Sequence, residues 1–140
     1  MLKNLLTLGV CLWTGVVLAL AFVAAPVAFA ALSSADAGLV AARFFKVEAY
    51  GTMIVGTVAW ILMRREAAQA SRDWPLWVAV LFAMMATLIG YFGLVEQLQS
   101  AKAAGNMAVY GRLHGMSMVM YAIKGIAWLV LSGLLVWRLR

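Results

Sequence analysis

Four apolar runs occupy most of this chain, and each can cross the roughly 30 Å hydrocarbon core of a bilayer at about 1.5 Å of rise per helical residue. They lie at about 5–29, 34–64, 74–95 and 110–137, with charged residues gathered at their ends. Inside lipid every backbone N–H and C=O must be paired within the protein, so short-connected apolar runs fold as packed helices. The expected fold is an all-α membrane protein, a four-transmembrane-helix antiparallel bundle forming a single domain over residues 1–140. Composition agrees: 66% of residues are hydrophobic and 11% charged, whereas soluble domains are about half apolar and about a quarter charged. A water-soluble core could not hide that much apolar surface.

The run boundaries follow from local chemistry. Lys3 precedes the first run and Ala28-Phe29-Ala30 resembles a small-residue cleavage site, but a secretory apolar core covers only about 7 to 15 residues. The first run is far longer and is read as a span. Ser33 followed by Asp36 fits a capping-box-like helix start. No breaker occurs between Ala35 and Arg64, so the second helix can run about 45 Å, with Arg43 and Lys46 in or beyond the interface and 49–63 crossing. Arg64-Arg65-Glu66 stops it, and Ala67 to Asp73 reads as a polar connection before Trp74-Pro75, where Pro suits a first helical turn. Glu96 to Ala104 is less hydrophobic, Gly105-Asn106 signals a turn, and Arg138 and Arg140 close the last run.

The net charge of +6 does not imply a nucleic-acid partner, which would require Lys and Arg clustered on a solvated face. Basic residues at span ends instead anchor helices to head groups and set topology. Lys3, Arg64, Arg65, Arg72, Arg138 and Arg140 fall on one side, against Arg43, Lys46, Lys102 and Arg112 on the other. The expectation is a multi-pass protein of the cell's inner (plasma) membrane with cytoplasmic N- and C-termini. Its first partner is the lipid bilayer, and a protein partner or a second copy is expected beside it.

Candidate chemistry rests on a small set of polar residues. A charge at the bilayer centre costs at least about 2.5 to 3.5 kcal/mol, so such groups face partners or water. Glu48 and Lys124 both lie about 20 to 24 Å along their helices from the ends at Arg64 and Trp137, which makes a salt bridge geometrically possible. On the fourth run His114, Ser117, Tyr121, Lys124, Trp128 and Ser132 recur at three- and four-residue steps and share one face. Glu48 shares a face with Gly51, Thr52 and Val55, and Asn4, Thr7, Cys11 and Thr14 make a weaker stripe on the first run. Two readings are open. In one, Glu48, His114, Ser117, Tyr121 and Lys124, with Arg43, Glu96 and Arg112, form a polar pocket that binds a solute or relays protons. In the other they satisfy one another as interhelical contacts of about 0.6 to 2 kcal/mol each.

Metal and cofactor chemistry has little to stand on. His114 and Met118 share a helix face and are soft enough for copper(I), but Met116 and Met120 point elsewhere, and the chain's Met residues suit adaptable packing. One His excludes a bis-His haem, and no cofactor is expected. Cys11 cannot form an intramolecular disulfide and reads as a small packing residue. Gly111-x-x-x-Gly115, Thr52-x-x-x-Gly56 and Gly15-x-x-x-Ala19 permit close helix approach, and most of the Trp residues fall where an interfacial belt places them. Trp13 and Trp128 are deeper exceptions and read as packing. Pro26 loosens the first helix by freeing a carbonyl one turn back.

Several short motifs carry a family resemblance: Ala25-Pro26 with Phe29, Ala37-Gly38, Arg43-Phe44-Phe45 leading into Glu48-Ala49-Tyr50, and Leu113-His114-Gly115-x-Ser117. In order and spacing the chain resembles the small bacterial membrane proteins of the domain-of-unknown-function 4149 group, related to eukaryotic transmembrane protein 205. The resemblance implies a four-helix membrane domain, puts weight on Pro26, His114 and Ser117, and brings no reaction with it. The leading expectation is a non-enzymatic homo-oligomer or accessory subunit of a membrane complex. The alternative is a small transporter or channel using the polar site, for a cation or a metal such as copper(I). An enzyme is disfavoured, because one His and no paired carboxylates leave little acid-base machinery.

Overall fold

The computed structural model describes residues 2–66 and 74–139. The connection expected at Ala67 to Asp73 lies outside the described residues, as do Arg72 and Arg140 of the charge count. The first span, Leu2–Ala31, comprises α1 (Leu2–Ala19), a π-helical turn (Leu20–Ala24) and α2 (Ala25–Ala31). The second is α3 (Ser34–Glu66). The third, Trp74–Ala103, comprises α4 (Trp74–Thr87), a second π-helical turn (Leu88–Phe92) and α5 (Val95–Ala103), and the fourth is α6 (Met107–Trp137). All four spans are long and apolar enough to cross a membrane, so the protein is a multi-pass helical bundle.

Helix ends and irregularities have local causes. Ser33 caps α3: its Oγ accepts the Asp36 N–H at 3.2 Å and donates to Asp36 Oδ2 at 2.6 Å. Asn106 caps α6 by accepting the Val109 N–H at 3.2 Å, after Gly105 turns the chain at φ 68°, a left-handed conformation that costs glycine little. The π turn in the first span ends with the Ala25 N–H bonding back to the Leu20 carbonyl, immediately before Pro26, which has no N–H to give. In the third span the Gly93 N–H reaches the Leu88 carbonyl at 2.8 Å. A Cβ at Gly93 would sit 2.8 Å from the Ile89 carbonyl oxygen, so this wide turn requires glycine. The less hydrophobic stretch after it folds as a separate short helix, α5.

The spans pack in chain order around a ring. α1 lies against α3 and α6, and α4 lies against the same two helices. Neighbours therefore run antiparallel, and α3 and α6 face each other across the diagonal. The terminus-side half of the interior is apolar, built from Leu6, Val10, Ala59, Met63, Leu76, Val80, Trp128, Leu131 and Leu135. Outer faces expose Leu12, Phe22, Val47, Ile54, Phe82 and Ile126, a surface suited to lipid.

Candidate functional site: a polar layer fastened by α6

The inward stripe of α6 forms bonds to every other span. Lys124 Nζ donates to Glu48 Oε2 at 2.5 Å across the bundle diagonal. The side chains are 3% and 1% exposed, so the pair is removed from lipid and solvent alike. Isolated charges there would be strongly disfavoured, and each supplies the other's counter-ion. The depth match read from the two helices thus ends in a direct ion pair.

Surrounding groups support the pair. Thr52, one turn along α3, donates from Oγ1 to Glu48 Oε1 at 2.7 Å, and Trp13 Nε1 of α1 donates to Thr52 Oγ1 at 3.1 Å. Lys124 Nζ lies 4.0 Å from the Tyr121 ring centroid, a cation–π contact strengthened by desolvation. The Tyr121 hydroxyl donates to the Val17 carbonyl of α1 at 2.8 Å, and its ring meets Phe45 of α3 edge-on at 5.0 Å. Gly51 makes room for this arrangement, because a Cβ there would overlap the Trp13 ring.

Two further fastenings flank this centre. Ser117 Oγ donates to the Gly90 carbonyl at 3.0 Å, inside the π turn of the third span, where Gly90 lets α6 approach so closely that a Cβ would collide with Met120. Toward the termini Thr14 Oγ1 bonds to the Val10 and Trp128 carbonyls at 2.9 and 3.2 Å and to Ser132 Oγ at 2.7 Å. Ser117, Tyr121, Lys124 and Ser132 are thus all engaged with another span. The indole N–H of Trp128, fully buried, has no acceptor among the described residues.

The remaining expected site residues are not drawn into this layer. Arg43, Glu96, Arg112 and His114 are exposed. His114 stacks on Tyr110 with centroids 5.8 Å apart and planes 8° from parallel. Met118 is 62% exposed, and no cluster of three or more His, Cys, Asp or Glu able to hold a metal occurs among the described residues. Cys11 is a part-buried free thiol. Pro26 is exposed, directly after the π turn of the first span. Of the small-residue spacings, Thr52 to Gly56 is used inside the bundle, Gly56 against Met84. A Cβ added at Gly15, Gly111 or Gly115 would meet nothing.

Sequence reasoning overlooked Trp13 as a member of the polar layer. Its one signal was depth: a tryptophan well inside a span, away from either interface, needs an acceptor for its N–H. Thr14, Thr52 and Ser132 lay on the polar stripes of their helices, but their partners depend on the ring order of the spans, which spacing does not fix.

Comparison with known families gives one match. A family described as a domain of unknown function (DUF4149) matches residues 8–107, covering the first three spans as far as the start of α6. Glu48, Thr52 and Trp13 lie inside the matched stretch; Ser117, Tyr121 and Lys124 lie beyond it. No curated protein and no solved structure matches the chain.

Proposed function

We propose that this chain, which belongs to the DUF4149 family, is a non-enzymatic membrane bundle that acts by lateral association, as a homo-oligomer or as an accessory subunit of a larger complex. The reading places it in the cell's inner (plasma) membrane with both termini cytoplasmic, the side favoured by the Lys and Arg count.

The observation that carries the proposal is the engagement of four polar residues of the α6 stripe within one copy of the chain. Ser117 bonds to the third span, Lys124 to α3, and Tyr121 and Ser132 both to α1, so the polar groups that would line a transport path serve as fastenings. The outward face of the same helix carries Gly111 and Gly115, with open space where a side chain would be. Two glycines one turn apart let a second helix approach closely, where dispersion and weak Cα–H contacts replace a missing hydrophobic drive.

The test is extraction into native nanodiscs at endogenous expression, with mass measured before and after Gly111→Ile and Gly115→Ile. A stoichiometric oligomer or partner that dissociates in the variants supports the proposal. A monodisperse monomer of the native chain overturns it.

The buried ion pair favours a second reading, a small cation transporter or channel, because ionisable groups inside membranes mark ion paths more often than chance. In that reading, Glu48→Gln with Lys124→Met abolishes cation flux into proteoliposomes while the bundle stays folded. Unchanged flux in the double variant excludes it.

A further inference from the structure

The outer end of α3 carries two cations above an aromatic floor. Arg43, Lys46 and Tyr50 recur at three- and four-residue steps, share one face of the helix, and are all exposed. By helical rise Arg43 stands about 32 Å from Arg64, Lys46 about 27 Å and Tyr50 about 21 Å. Counted from the Arg64 end, a hydrocarbon core of roughly 30 Å puts both cations at the head-group layer opposite the termini and the Tyr50 ring just inside the acyl chains. Lys46 lies close to four helical turns from Trp60, which packs on Trp77 of α4, so it points along the face that α4 covers deeper in the bundle. Tyr50 meets Phe92 edge-on at 5.2 Å, and Tyr91 meets the same ring at 5.2 Å. Beyond Phe92 the third span kinks, and α5 packs on α6 rather than on α3. The break leaves a notch beside Lys46, floored by the three rings.

The polar groups of the notch have no partner within the chain. Arg43 and Lys46 form no ion pair, and the Tyr50 and Tyr91 hydroxyls no hydrogen bond, among the described residues. The carboxylates of this half of the bundle are placed elsewhere. Glu48 is buried on the opposite face of α3 with Lys124, Asp36 bonds Ser33 at the start of the helix, and Glu96 lines a groove between α5 and α6. The notch therefore offers two positive charges and two phenol donors, with no carboxylate to receive a cation.

We propose that this notch binds an anionic phospholipid of the leaflet opposite the termini, of the phosphatidylglycerol class. The phosphate accepts from the Arg43 guanidinium and the Lys46 ammonium, which are strong, charge-assisted bonds. The ester oxygens accept from the Tyr50 and Tyr91 hydroxyls, and the first acyl carbons lie on the Phe92 ring. Phosphate, ester and acyl chain thus descend from Arg43 toward the bilayer centre in the order the leaflet sets. A choline or ethanolamine head group would bring its own ammonium beside Arg43 and Lys46, where like charges repel and no carboxylate compensates.

The experiment is native mass spectrometry of the full chain released from detergent with equimolar glycerol, ethanolamine and choline phospholipids of matched acyl chains, and with soluble glycerol phosphate in a parallel sample. Each Lys or Arg near a membrane surface strengthens attraction to an anionic lipid about fivefold. The expected result is a preference of about five- to thirtyfold for the glycerol lipid, falling about fivefold in Arg43→Gln and in Lys46→Gln. Tyr50→Ala, with both cations in place, weakens binding of that lipid about two- to tenfold. The double variant Lys102→Gln with Arg112→Gln, which removes cations of the same end on α5 and α6, leaves the preference intact. Circular dichroism confirms that each variant remains helical. Equal binding of the three lipids, soluble glycerol phosphate bound as tightly as the lipid, or undiminished binding in Tyr50→Ala overturns the proposal. So does an equal loss in the Lys102 and Arg112 double variant, which would make the attraction diffuse.

Discussion

The two halves of this bundle solve the same problem by different means. Toward the termini the helices are regular and the interior is closed by Leu6, Val10, Val80, Leu131 and Leu135 around Trp128, with Trp60 and Trp77 packed edge to face at 4.6 Å. Toward the opposite end, spans one and three each pass through a π turn, and hydroxyl, indole and ammonium donors bind across helices. In lipid, apolar contact between helices gains no hydrophobic free energy, because acyl chains are equally apolar. Dry packing holds where regular helices fit together. Toward the opposite end directional bonds are added: Ser117 reaches into the π turn of the third span, while Lys124, Tyr121 and Trp13 bond between regular helical stretches.

Unpairing the diagonal should have the largest effect. Lys124→Met leaves the Glu48 carboxylate buried without its counter-ion, and removing one partner of a buried pair costs about 3 to 5 kcal/mol. Reversible unfolding in bicelles should show this loss for Lys124→Met and a clearly smaller one for the double variant with Glu48→Gln. Equal losses would mean the pair contributes through packing alone. Next come the close approaches. Gly90→Ala forces a methyl against Met120 and should cost about 1 to 3 kcal/mol, the usual range for overpacking. Leu131→Ala, in the apolar half, should cost about 2 kcal/mol through the cavity it leaves. A larger loss at Leu131 than at Lys124 would reverse the assignment of strength between the halves.

Hydroxyl deletions should be gentler. Tyr121→Phe keeps the ring on Phe45 and Lys124 and removes only the bond to Val17, an interhelical hydrogen bond in membrane of about 0.6 kcal/mol, at most about 1.7. Ser117→Ala should fall in the same range. A loss near that of Lys124→Met would show that the layer acts as one cooperative network rather than as separate fastenings.

The fold was legible because the bilayer leaves few choices. Four long apolar runs with charges at their ends admit a helical bundle and little else. The ion pair was half legible, since rise per residue put Glu48 and Lys124 at one depth but gave no neighbour. That depended on the ring order of the spans, and the diagonal lets α3 and α6 meet through long side chains although other helices separate their backbones. Gly90 and Gly93 looked like ordinary glycines of an apolar run, and nothing in periodicity distinguishes a π turn from one more α turn. His114 shows the opposite limit. It shares three- and four-residue steps with Ser117, Tyr121 and Lys124, yet it is exposed and stacks on Tyr110 of its own helix.

His114 therefore gives the smallest expected effect and tests where the fastened layer stops. Exposed and stacked on Tyr110, it should change stability by no more than about 0.5 kcal/mol when replaced by Ala, as surface positions do. A loss of several times that amount would extend the layer outward by a full turn of α6 and restore the wider pocket. Unchanged stability with loss of the proposed oligomer or partner would place His114 on the outward glycine face, next to Gly111 and Gly115. The bundle would then have a third region, one whose bonds are made to another molecule.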